Sequence, residues 1–262
     1  MRLGRMGRLI LWGCFSSVMV FLVVPLIIVV AVSFSPDIFM IFPPKGLSLK
    51  WYLEFLSSSE WREAIRNSLV IACGTALLST SIALPMAFVL HRCRVPLAGV
   101  IRTLGLLPFL LPPVIIGVAF MAFFYSIGYA GRPINVIVAH SIFYTTLPLM
   151  LISLGMESVS RQLEEAAMNL GATQWRVFRT VTIPLIKNDV FAGILFAFIL
   201  SLNEYFIAFL VAGFTVTTLP IQIFSSLRYS YSPTIAAVSV FFIILTCGMV
   251  LAIERLTGGL WE

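Results

Sequence analysis

The sequence predicts an all-α polytopic membrane protein with six transmembrane helices. Composition is the first reason: 60% of the 262 residues are hydrophobic and only 11% are charged, against about a quarter charged in a soluble domain. A chain of this size has no core large enough to hide such a surplus, so its solvent is lipid. Charge spacing is the second reason. Charge-free runs cover 9–36, 67–90, 103–131, 133–156 and 229–253, and a sixth around 190–213 is interrupted by Glu204. Each exceeds the roughly 20 residues that carry a helix across about 30 Å of hydrocarbon.

The first run, with an anchor over about 9–34, is too long for the apolar stretch of a secretory signal peptide. "VVAVSFSP" also lacks a small-residue cleavage site, so the helix is expected to be retained. The segment 35–66 follows, with "LKWYLEFLSSSEWREAIRNS", whose Trp, Tyr and Phe beside charges suit a short helix at the membrane interface. Prolines mark the spans at Pro25, Pro85, Pro108, Pro112, Pro113 and Pro148. "LLPFLLPPVIIG" must kink or break its helix near 108–113, because proline removes a donor and clashes with the preceding turn. In lipid the freed carbonyls need protein or water.

Lys and Arg set the direction of insertion. With the N-terminus in the cytoplasm, the inner segments hold Arg2, Arg5, Arg8, Arg92, Arg94, Arg102, Arg161, Arg176, Arg179, Lys187 and Arg255. The outer segments hold only Lys45, Lys50, Arg62, Arg66, Arg132 and Arg228. Both termini and the segment 157–189 are then cytoplasmic. The net charge of +6 forms no continuous basic patch, so no nucleic acid is expected as a partner.

Several chemistries are excluded or unsupported. The three lysines follow Pro, Leu and Ile, so no G-x-x-x-x-G-K-[ST] loop exists to cradle phosphate. His91 and His140 belong to no H-E-x-x-H, and no G-x-S-x-G elbow occurs. No catalytic residue and no metal site is expected. Cys14, Cys73, Cys93 and Cys247 show no C-x-x-C spacing and read as small buried hydrophobes. His140, in the fourth span, reads as a neutral imidazole hydrogen-bonded across helices in preference to a group of the substrate pathway.

The segment 157–189 is the polar exception. Leu163, Ala166, Ala167 and Leu170 form one apolar stripe at helical spacing, with Ser160 able to cap its start and Gly171 to end it. Thr173 can cap a second short helix carrying Trp175, Phe178 and Val181, and Pro184 turns the chain back to the membrane. A helix–turn–helix across the cytoplasmic face results. Two alanines allow close approach, Glu164 and Glu165 can meet basic groups on a partner, and Trp175 is awkward in water. A free loop needs none of this, whereas a docking element does.

"EAAMNLG", nine residues, then "VTIP" resembles the EAA loop of binding-protein-dependent ABC importer permeases. Glu165, Ala166, Ala167, Gly171 and Pro184 match that pattern, with Val181 and Ile183 at its two aliphatic places. The resemblance covers about 60–255. It implies a type I ABC importer permease fold in a single permease domain over 1–262, with a cytoplasmic coupling helix in the loop 157–189. It further implies a bacterial inner-membrane location, a second homologous permease completing a heterodimer, two ABC ATPase subunits and a periplasmic solute-binding protein. ATP and Mg would bind the ATPases, and no cofactor this chain. The ATPase-coupling residues would be Glu164, Glu165, Ala166, Ala167, Gly171 and Pro184.

Glu204 is the one charge well inside a span, and with Asn203 and Tyr205 it is a candidate for the substrate pathway or, equally, a structural acid. Ser201, Asn203, Glu204 and Tyr205, then "TTLP" at 217–220, then Ser232 and Pro233, are similar to polyamine-type permeases. That implies import of spermidine or putrescine. Relatives carrying opines, 4-aminobutyrate or aminophosphonates stay open, as Asn203 stands where polyamine members commonly hold an acid. A self-contained channel or ion-driven carrier is the reading from another class.

Overall fold

The computed structural model describes residues 5–229 and 232–257. Among the described residues thirteen α-helices follow in order: α1 Arg5–Ser33, α2 Lys50–Ser57, α3 Ser59–Arg92, α4 Ala98–Leu110, α5 Pro113–Ser126, α6 Pro133–Tyr144, α7 Thr146–Ser158, α8 Arg161–Asn169, α9 Gln174–Val177, α10 Ile183–Asn203, α11 Phe206–Ala212, α12 Leu219–Tyr229 and α13 Thr234–Thr257. Among the described residues, four stretches are long and apolar enough to span alone: Leu11–Ser33, Ser59–Arg92, Gln174–Asn203 and Thr234–Arg255. Two bent pairs, α4 with α5 and α6 with α7, raise the number to six.

The proline run breaks its span as expected: α4 and α5 meet at 100° around Leu111 and Pro112. The next span also bends, by 44° at Thr145, which charge-free length alone did not signal. The fifth span departs from the expected 190–213. It runs Gln174–Asn203 and stops at the extended backbone of Glu204. Lys187 and Asp189 do not delay it, because a helix satisfies its own backbone whatever its side chains carry. Pro184 does not turn the chain either. It lacks the N–H that Thr180's carbonyl would accept, and the helix opens into a π-turn over Phe178–Thr182, where Ile183 N–H donates to Phe178 C=O. The helix then continues without a corner.

The chain divides into two compact units, Met1–Arg62 with Ile223–Leu245 and Glu63–Gln222 with Thr246–Glu262. In the first, Trp51 Nε1 donates to Ser35 C=O (2.6 Å), Tyr52 and Ser33 share a hydroxyl contact (2.7 Å), and Phe55 packs on Trp61 and Phe241. These contacts seat the expected short aromatic helix, α2.

In the second unit, α10 lies along α7, and α11 lies against α5 and α6. The α7–α10 crossing is close because Gly193 has no side chain: a Cβ there would stand 3.0 Å from Pro148 Cα. One core joins Ile71, Phe124, Val136, Phe143, Ile207 and Val211, and another joins Ala83, Ala87, Leu149, Ile152, Met156 and Ile186. The four cysteines are free and exposed rather than buried. In lipid a small apolar side chain loses nothing by facing outward, so burial does not select for it.

Candidate functional site: the loop helix and the broken span

Helix α8 separates its residues by face. Leu163 (55% exposed), Ala166, Glu165 and Leu170 (90% exposed) lie open, and Ala167 is half-buried. Glu164 is buried on the opposite side at 7% exposure. Its Oε2 is 2.6 Å from Arg92 Nε, and its Oε1 accepts from Thr182 Oγ1 at 2.7 Å. Glu164 is therefore not placed to meet a partner's basic group. One position from Glu165 is about 100° around a helix, which turns the two acids to different surroundings.

Arg92 does more than neutralise that acid. Its Nη2 donates to Met156 C=O (3.1 Å), in the last turn of α7, and to Val159 C=O (3.2 Å), just beyond that helix, where a cation also opposes the negative end of the helix dipole. Arg161 Nη2 donates to His91 C=O at the end of α3 (2.6 Å). Phe88 of α3 meets Phe178 of the π-turn edge-on, ring centroids 4.7 Å apart. A cavity of about 140 Å³ lies among Phe88, Arg92, Glu164, Gln174 and Thr182.

The ends of α8 and α9 follow the local chemistry in part. Gly171 takes φ +89°, and Ala172 N–H and Gly171 N–H donate to Ala167 and Met168 carbonyls. These bonds close the helix as a glycine stop does. Thr173 Oγ1 accepts from Arg176 N–H (3.3 Å), the expected cap. Ser160 opens α8 without a side-chain cap hydrogen bond. Trp175 is 68% exposed. Pro184 lies exposed in the first turn of α10. The second helix of the expected helix–turn–helix is continuous with the fifth span.

The other irregular point is Glu204. Helix α10 ends at Asn203, and both oxygens of Glu204 serve the next helix: Oε1 accepts from Ile207 N–H and Oε2 from Ala208 N–H, each at 3.0 Å. His140 Nε2 stands 3.2 Å from Oε2, and His140 Nδ1 contacts Ser201 Oγ at 2.8 Å. The histidine is thus bonded across helices, as its place in a span suggested. Asn203 is exposed and donates to Ile199 C=O, and Tyr205 is half-buried and stacks on Phe209.

Arg92, Thr182, His91 and Arg161 were not signalled as site residues by the sequence. Arg92 and Arg161 entered only as charges in the count that sets orientation.

Residues 79–255 match the family described as binding-protein-dependent transport system inner membrane component. The chain belongs to this family. Its members are permease subunits rather than enzymes. Among its relatives is the putrescine transport system permease protein PotI of Escherichia coli K12, 33% identical over 226 residues that cover 84% of this chain and 80% of that protein. The spermidine/putrescine transport system permease protein PotC of the same strain is 24% identical over 246 residues, 94% and 93% of the two. Two solved structures share the fold. One is a bacterial ABC transporter involved in import of the acidic polysaccharide alginate (TM-score 0.75, 14% identity, 97% of this chain and 96% of that one). The other is the inward-facing MetNI methionine ABC transporter (TM-score 0.63, 16% identity, 73% and 92%). The expected type I importer fold and inner-membrane class therefore hold.

Proposed function

We propose that this permease forms half of the translocation pathway of an ATP-driven importer for a polyamine of the putrescine or spermidine type. The open face of α8 carries the reading: Leu163, Ala166 and Leu170 are held out together, and an apolar patch kept in water asks for a partner. That partner is one of two ABC ATPases, which bind ATP and Mg. Glu165 supplies a polar contact, Ala166 and Ala167 the close surface, Gly171 the turn, and Pro184 the π-turn that leads into the membrane. A second, homologous permease completes a heterodimer, and a periplasmic binding protein delivers the solute. Both termini lie in the cytoplasm with α8.

The names of the PotI and PotC relatives support the substrate class. Asn203 and Tyr205 take the pathway role. Glu204 is committed to α11 and His140 and serves it only by shaping the break.

The test is uptake by the complete transporter in proteoliposomes, with its ATPases and binding protein, against putrescine, spermidine, 4-aminobutyrate, an opine and an aminophosphonate. Competition by polyamines alone supports the substrate. Uptake of one of the other solutes moves the reading to that class, and uptake with the ATPases left out makes the chain a channel or ion-driven carrier.

A further inference from the structure

We propose that Arg92 and Glu164 form a transmission pin, a positioning pair that makes α8 move as one body with the ends of α3, α7 and α10. The proposal rests on the reading of α8 as the ATPase-docking helix.

Only Val159 and Ser160 join α7 to α8. Both sit in extended backbone, with ψ of 115° and 127°. A joint of two extended residues is a hinge, and force applied to the open face of α8 would bend it before reaching the membrane. Arg92 closes that hinge from behind. One guanidinium binds Glu164 on α8, the Met156 carbonyl in the last turn of α7 and the Val159 carbonyl of the joint itself, while belonging to α3. Thr182 adds the root of α10 through the other carboxylate oxygen. Arg161 to His91, and Phe88 on Phe178, tie the same elements again.

The pair is nearly dry, its side chains 12% and 9% exposed. Taking both charges out of water offsets much of their attraction, so stability alone is a weak reason for such a pair. A fixed geometry is a better one. The planar fork of arginine reaches carboxylate and carbonyls at once, which a lysine cannot do.

The experiment uses the complete transporter in proteoliposomes with solute-loaded binding protein. Uptake and ATP hydrolysis are read in one sample, and a photo-crosslinker at Asn169, exposed at the end of α8 beside the open face, reports docking. For Glu164→Ala the expected result is preserved crosslinking with uptake per ATP lower by about tenfold, the size of a typical coupling between sites. Arg92→Lys should fall between that variant and the unaltered protein, and the exchange of Arg92→Glu with Glu164→Arg should recover part of the ratio. If Glu164→Ala fails to assemble, Arg92→Lys is judged by the same ratio. An unchanged uptake-to-ATP ratio with crosslinking intact overturns the pin and leaves the docking reading standing. Absence of any crosslink from Asn169 in the otherwise unaltered protein overturns the docking reading, and the pin with it.

Discussion

Glu164 and Glu204 stand 40 positions apart in sequence, and both are 7% exposed. Each meets one basic side chain and one irregular piece of backbone. Glu164 receives its bonds from side chains, Arg92 and Thr182, which reach it from different helices. Glu204 receives two of its bonds from backbone N–H groups of the helix it starts, and His140 comes from across the bundle. One acid joins separate elements while the other completes a single element. The arginine partner carries its charge at any attainable pH, whereas a histidine partner is charged only when protonated. The acid of the loop thus faces a permanent ion and the acid of the break a conditional one.

The largest expected effect comes from breaking the second arrangement. Glu204→Ala strips the acceptors from Ile207 and Ala208 and leaves His140 without its acid. Leaving those two buried N–H groups without acceptors costs about 1–3 kcal/mol each, and within a span no bulk water replaces the lost bonds. A fall in melting temperature of the purified permease in detergent, with poor recovery of monodisperse protein, is the expected reading. Glu204→Gln keeps one acceptor oxygen and should lie between. A full-strength melt for Glu204→Ala would show that the break is held by something other than its carboxylate.

The first arrangement should yield less. Glu164→Ala leaves Arg92 with its two carbonyl bonds beside a cavity that can admit water, so about 1–3 kcal/mol is expected, the range for a buried group left partly unsatisfied. The measurement is the same melt. If Glu164→Ala destabilises as much as Glu204→Ala, the two carboxylates do equal structural work and the contrast between load and cap disappears.

Both acids were visible in the sequence, and so was the reason to single them out, since charge is rare here. What each one does was not visible. Glu164 and Glu165 are equivalent as residue types, and only the helix phase relative to Arg92, more than 70 positions earlier, decides which turns inward. Glu204 interrupts an apolar run, which suggests a charge inside a helix. The structure shows a helix ending there instead, because a carboxylate can satisfy the first N–H groups of the next helix. Proline was legible where two stood together, at 112 and 113, and misleading where one stood alone. Pro184 was absorbed by a widened turn that no local pattern announces. The apolar stripe and the glycine stop of α8 were legible in full, since both depend on neighbours within a few residues.

Gly171 tests that local part alone. Its φ of +89° is left-handed, and a Cβ there would meet open space, so Gly171→Ala isolates backbone strain of about 1–2 kcal/mol. Gly171→Asn, which tolerates this region better, should recover part of it. The expected outcome is reduced crosslinking from Asn169 to the ATPase in the alanine variant with an unchanged melt for the membrane core. If the core melts earlier as well, the loop and the spans are one cooperative body already at Gly171, beyond the reach of the pin.

The smallest effects form a matched pair of hydroxyls. Thr182→Val removes a donor from Glu164, and Ser201→Ala removes the partner of His140 Nδ1. Each bond is worth about 1 kcal/mol when its loss can be repaired. Beside the cavity of the loop, water can take the place of the Thr182 hydroxyl. His140 is 1% exposed and has no such replacement. Ser201→Ala should therefore destabilise more than Thr182→Val, although the two deletions are chemically alike. Equal shifts in the two melts would mean that water reaches the broken span as freely as the loop, and that Glu204 and His140 sit in a hydrated passage.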